Sequence, residues 1–151
     1  MGTNPVQRDT TAETVSANVR RLRKEQNLGL RGLATKLAEA GRPLTHSAVD
    51  QIEQGKRRVD VDDLIALAAA LGVSPITLLM PGMLNEDSAK MVEVARCHLS
   101  VGRLWRWLRA DIALPGYALP QRRFFVDSRP EWDPGAGDPR LWSEETPDGN
   151  D

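Results

Sequence analysis

The sequence predicts a mainly α-helical protein: a domain of five short helices, a small α/β C-terminal extension and a polar tail. Three observations carry that reading. Aliphatic residues are plentiful while aromatics make up 5% of the 151 residues, which suits a small helical core better than a large sheet. Apolar residues between Val15 and Leu71 recur at helical spacing. Between these stripes stand capping residues, glycines and prolines, close enough together to make the connections tight.

The elements follow in order. Residues 1–10 are polar, contain Pro5 and read as a mobile arm. A first helix starts near Thr11, with Thr10 or Thr11 as cap and Val15, Val19 and Leu22 on one face; Asn27 and Gly29 mark its stop. A second runs from about Leu30 to Ala40 on the stripe Leu30, Leu33, Ala34 and Leu37, closed by Gly41 and Pro43. The third, Thr45 to Gln54, has Thr45 as N-cap, Ala48, Val49 and Ile52 inward and Gly55 as a left-handed end. Asp60 caps the fourth, VDDLIALAAALG, with Asp62 and Asp63 set against the positive end of its dipole and Leu64, Leu67, Ala68 and Leu71 as its stripe. Ser74-Pro75 opens the short fifth, SPITLLM, which Pro81-Gly82 ends. The domain is therefore expected over 11–82 and a linker over 83–89.

Residues 90–126 form the extension. KMVEVAR, Lys90 to Arg96, alternates like a strand. Ser100 caps a helix VGRLWRWLRADI, whose stripe is Val101, Leu104, Trp105, Leu108 and Ile112, and FFV at 124–126 is expected as a brief strand. Residues 127–151, rich in Pro, Gly and acidic residues, are expected to be disordered, with Trp132 and Trp142 docking transiently.

The formal net charge of −1 conceals blocks. Residues 1–58 hold 11 Lys and Arg against 6 Asp and Glu, and residues 100–125 hold 5 against 1. Residues 59–99 hold 2 against 6, and residues 126–151 hold 2 against 8. Two basic surfaces and an acidic tail result, and a local basic surface is what a nucleic acid requires.

Several classes are set aside. One cysteine, Cys97, allows no internal disulfide and fits a reducing compartment. No apolar run approaches the ~20 residues of a membrane span, and MGTNPVQRDTTAET lacks a signal peptide's apolar centre, so a cytoplasmic protein is expected. Cys97 and His98 are neighbours on a strand and point to opposite faces, so they make no nucleophile–base pair. Two His and one Cys without ligand spacing make no zinc site, and there is no glycine-rich phosphate loop. Neither an enzyme nor a cofactor is expected.

The third helix carries the functional reading. Its outer residues, His46, Ser47, Asp50 and Gln51, all end in hydrogen-bonding groups, and Lys56, Arg57 and Arg58 follow at once. A helix of roughly eight residues is about 12 Å long. The DNA major groove is about 12 Å wide and presents a donor–acceptor pattern that distinguishes all four base pairs. Gln51 suits adenine, Asp50 a cytosine amine, and His46 and Ser47 can donate or accept, while the three cations suit phosphates. Taken singly, each of these is ordinary solvated surface; the order and spacing carry the reading.

The stretch LRKEQNLGLRGLATKL, then LTHSAVDQIEQGKRRVDVDDLIALAAALGVSPITLL, resembles the lambda-repressor-like helix-turn-helix family, also called the XRE or Cro/repressor family. The resemblance covers about 14–80 and rests on Leu33-Ala34, the segment Val49 to Lys56, and ALGVSPITLL. It implies that Thr45, His46, Ser47, Asp50 and Gln51 face double-stranded DNA. It also implies phosphate contacts from Arg31, Thr45, Lys56, Arg57 and Arg58, and an Arg23–Glu53 ion pair tying the first helix to the third. Two departures stand out. Leu30 occupies the place where many members start the second helix with Gln, and the turn AEAGRP is longer than in the shortest members. Some relatives carry a self-cleaving Ser–Lys domain; beyond the helical part this chain has only Lys90, so no such activity is expected.

The expected function is therefore sequence-specific DNA binding as a transcriptional regulator, most simply a repressor, a phage immunity repressor being one type. The alternative is an antitoxin-like or adaptor module that uses the helix-turn-helix as scaffold. Arg103, Arg106 and Arg109 offer a second surface for DNA or a partner, and the stripe around Trp105 is expected either to pack within the chain or to form a homodimer contact.

Overall fold

The computed structural model describes residues 10–81, 89–116 and 120–133. The expected N-terminal arm up to residue 9, the linker except Ala89, Gly82, and the tail from 134 with Trp142 lie outside them. The chain divides into two compact units between Asp87 and Ser88.

The first unit holds α1 (Thr10–Glu25), α2 (Leu30–Glu39), α3 (His46–Glu53), α4 (Val61–Leu71) and α5 (Pro75–Leu79). Their apolar stripes meet in one core, in which Val19, Leu33, Leu37, Val49, Ile52, Leu67 and Leu78 are fully buried. Leu30, which stands where Gln is common, packs against the edge of that core instead of bracing through a polar side chain.

The helix ends explain the tight connections. The side chains of Thr45, Asp60 and Ser74 accept from the backbone N–H groups of Ala48, Asp63 and Ile76, satisfying donors that a helix start leaves open. Gly72 takes φ 68°, the left-handed turn that ends α4 and that a side chain would oppose.

One buried polar residue locks the last helix in place. Asn18 on α1 is 3% exposed, and its Nδ2 donates to the carbonyls of Leu78 (3.0 Å) and Met80 (2.7 Å). These carbonyls at the end of α5 would otherwise lack a partner, since a helix leaves its last C=O groups unbonded. Gln26 likewise donates to the Leu71 carbonyl at the end of α4, at 2.7 Å.

The second unit departs from expectation in four places, one of them that the expected disordered tail is placed as far as Asp133, with Arg129 paired to Asp111 and Asp133 and Trp132 83% exposed. It contains β1 (Met91–Val94), β2 (Cys97–Ser100), α6 (Val101–Leu108) and α7 (Gln121–Ser128). The single strand expected over Lys90 to Arg96 is half of an antiparallel hairpin, with Val94 opposite Cys97 and Met91 opposite Ser100. Its two-residue turn is Ala95-Arg96, both at positive φ (49° and 63°), the pattern of a type I′ turn. The helix expected to reach Ile112 stops at Leu108, because Ala110 turns left-handed at φ 62°. Arg129 holds that turn, donating to the Ala110 carbonyl at 3.0 Å and to Asp111 Oδ1 at 2.6 Å.

The expected strand FFV is instead part of helix α7. Phe125 is the face it buries, at 1% exposure. Gln121 bridges the backbone of Asp111 and Ala113, and Arg123 pairs with Asp127 one turn on. In α6 the predicted stripe is graded: Leu104 is buried while Val101, Trp105 and Leu108 are half-buried.

Candidate nucleic-acid interface

Helix α3 is short, and its two sides differ sharply. Val49 and Ile52, at 0% exposure, fix its inner side to the core. Thr45, His46, Ser47 and Gln51 are exposed on the outer side, and Asp50 is half-buried. The Thr45 hydroxyl accepts from Ala48 N at 3.1 Å, which leaves its own proton available to a further acceptor. After Gly55, at φ 65°, the backbone N–H groups of Lys56 and Arg57 both donate to the Gln51 carbonyl, so the basic segment leaves the helix in a tight turn.

The position of α3 is set from two directions. Arg23 on α1 meets Glu53 with both prongs, Nε to Oε1 at 2.5 Å and Nη2 to Oε2 at 2.8 Å, and its Nη1 donates to the Leu28 carbonyl at 2.7 Å. The Glu53 hydrogen bond is the largest influence on the Arg23 guanidinium and holds its pKa above the ordinary value. This pair fixes the C-terminal half of α3 against α1.

The second brace was not foreseen. Asp63, assigned from sequence to the dipole of α4, is 1% exposed and receives two arginines. Arg42 Nε lies 2.8 Å from Oδ1 and an Arg57 amino group lies 3.3 Å from Oδ2. Arg42 also pairs with the helix cap Asp60 at 2.7 Å. Burial pushes the Asp63 carboxyl up, but the hydrogen bonds from Arg42 and then Arg57 outweigh it and hold the group below the ordinary carboxylate range. The one sequence signal for it is the spacing of Asp60 and Asp63, one turn apart at a helix start.

These contacts grade the candidate residues. His46, Ser47 and Gln51 stand exposed on one helix face, and Lys56 and Arg58 are exposed just beyond it. Asp50 accepts from Gln54 Nε2 at 2.6 Å, so part of its acceptor capacity is used within the helix. Arg57 is half-buried against Asp63, and Arg31 is exposed in the first turn of α2. In the second unit Arg103 is exposed, whereas Arg109 lies 5.6 Å over the Trp105 ring and 3.4 Å from Asp111. Arg106 is half-buried and also engaged.

A family model described as helix-turn-helix matches residues 19–78, spanning from within α1 to the last turn of α5. Residues 19–78 form a helix-turn-helix domain of the lambda-repressor-like family. That match supports a DNA-binding, transcription-regulator-like function for this domain. No curated protein and no solved structure matches the chain. Among the described residues no helix is long and apolar enough to cross a membrane, and no group of three or more His, Cys, Asp or Glu is placed to hold a metal ion.

Proposed function

We propose that this protein is a sequence-specific regulator of transcription that reads the major groove of double-stranded DNA with α3, and that it acts most simply as a repressor by occupying a promoter. A phage immunity repressor is one form such a protein takes. The observation that carries the reading is the outer side of α3. His46, Ser47 and Gln51 are exposed on it, with Lys56 and Arg58 exposed where the chain leaves it. Side chains that donate and accept suit base edges, and cations beside them suit phosphates. In this reading Asp50 adds discrimination more than affinity, since it repels phosphates and can accept from a cytosine amine. Thr45 and Arg31, at the starts of α3 and α2, complete the backbone contacts.

Selection of bound duplexes from a random DNA pool, followed by salt titration of the winner, tests the proposal. A selected motif and a log–log salt slope of about −0.9 per neutralised phosphate support it. Binding that shows no preferred sequence, or capture of a polypeptide in place of DNA, overturns it in favour of the scaffold role. The same selection reads the assembly. Two half-sites about 34 Å apart mark a homodimer, and a single asymmetric site marks a monomer.

A further inference from the structure

We infer that Asp63 is a positioning residue for DNA binding: one buried carboxylate fastens both chain segments that flank α3 and aims Arg57 at the phosphate backbone. The inference rests on the DNA-reading role proposed above and adds a residue that touches no DNA. Arg42 lies in the turn before α3, and Arg57 lies in the basic segment after it. Both converge on the single side chain of Asp63, on its separate oxygens, at 2.8 and 3.3 Å.

The chemistry of the two ends suits the task. Asp63 sits in the first turn of α4, where Asp60 accepts from its backbone N–H at 2.7 Å, so the carboxylate is carried on a capped helix end and not on a mobile loop. The guanidinium has five N–H donors in a rigid fork. Contact with Asp63 uses one side of the fork of Arg57, whose side chain remains 34% exposed. The outward donors are then presented in a fixed direction, which lowers the ordering cost of a phosphate contact. Lys56 and Arg58, its neighbours, are exposed.

The test is a double-mutant cycle in DNA binding with the full chain, on the duplex the wild type selects, with folding of each variant checked by circular dichroism. Asp63→Asn keeps the shape but removes the charge that holds Arg57. Asp63→Asn and Arg57→Ala are each expected to weaken binding roughly tenfold and to reduce the salt slope by about 0.9, and the double variant is expected to bind no more weakly than either. Losses that multiply to about a hundredfold, or an Asp63→Asn protein with wild-type affinity and slope, overturn the inference while leaving the DNA-reading proposal in place. A wild-type chain that binds no duplex removes both. If Asp63→Asn does not fold, nitrogen-15 NMR of the Arg57 guanidinium in the wild type decides. A contact to Asp63 kept in the DNA complex supports positioning, and its loss on binding overturns it.

Discussion

Arg23 on α1 grips Glu53 at the end of α3 through two parallel hydrogen bonds, with side chains only 12% and 4% exposed. A paired charge this far from water is costly to leave alone, whereas removing both charges removes the cost as well. Glu53→Ala is therefore expected to lose about 3 kcal/mol of stability. The double variant Arg23→Leu with Glu53→Leu is expected to lose markedly less than that single change. Urea midpoints of the two singles and the double measure this, and simple additivity would refute it.

If α3 reads the groove as proposed, changes at base-facing and phosphate-facing positions are expected to separate in binding. Gln51→Ala and His46→Ala should flatten discrimination at one or two positions of the selected site, each by about 1–3 kcal/mol. Lys56→Ala and Arg58→Ala should instead weaken all sequences alike and lower the salt slope by about 0.9 each. Competition titrations with single-base variants of the site, run at several salt concentrations, distinguish the two classes.

The Asn18 latch is expected to carry stability out of proportion to one side chain. Asn18→Ala strips two buried carbonyls of their donor, a loss of roughly 2–3 kcal/mol. Asn18→Asp is expected to be worse, since a carboxylate would face those carbonyl oxygens. Thermal unfolding of the full chain followed at 222 nm reports the loss, and an unchanged melting temperature in Asn18→Ala would contradict it.

Asp63 also sets an acid limit. Its carboxyl titrates lower in the folded than in the unfolded chain, so the stability it contributes is present above the ordinary aspartate range of about 4. That contribution fades as pH falls from there through the lowered folded value. Unfolding free energy of the wild type should therefore drop more steeply as pH falls below about 4 than that of Asp63→Asn. Parallel slopes for the two proteins would exclude this role.

The helical domain was legible because local signals agreed with one another. Thr45, Asp60 and Ser74 each precede an apolar stripe, and each accepts the backbone bond its position calls for. The outer side of α3 was readable for the same reason, as period and cap together fix which residues point away from the core. What escaped was long-range pairing of charge. Nothing local joins Arg42 to Asp63 across 21 residues, and an acid in a first turn is ordinarily a surface group. The aromatic run at 124–126 misled because β-propensity is weak beside tertiary packing, which buries Phe125 on a helix.

The hairpin was hidden by its turn. Ala95-Arg96 lacks the Asn-Gly signature, although both residues adopt the backbone that pair prefers. Ala95→Asn with Arg96→Gly is accordingly expected to stabilise the hairpin by about 1 kcal/mol. Slower hydrogen exchange of the cross-strand amides between Met91–Val94 and Cys97–Ser100 would register it, and faster exchange would argue against the turn assignment.

The Asn18 latch has a consequence for where this domain can be cut. The segment that matches the family model starts at Val19 and finishes at Leu78, yet the amide that closes the bundle and one carbonyl it clasps belong to Asn18 and Met80, just beyond either border. A fragment trimmed to the matched borders would lose its own clasp. A fragment meant to keep that clasp has to include both residues.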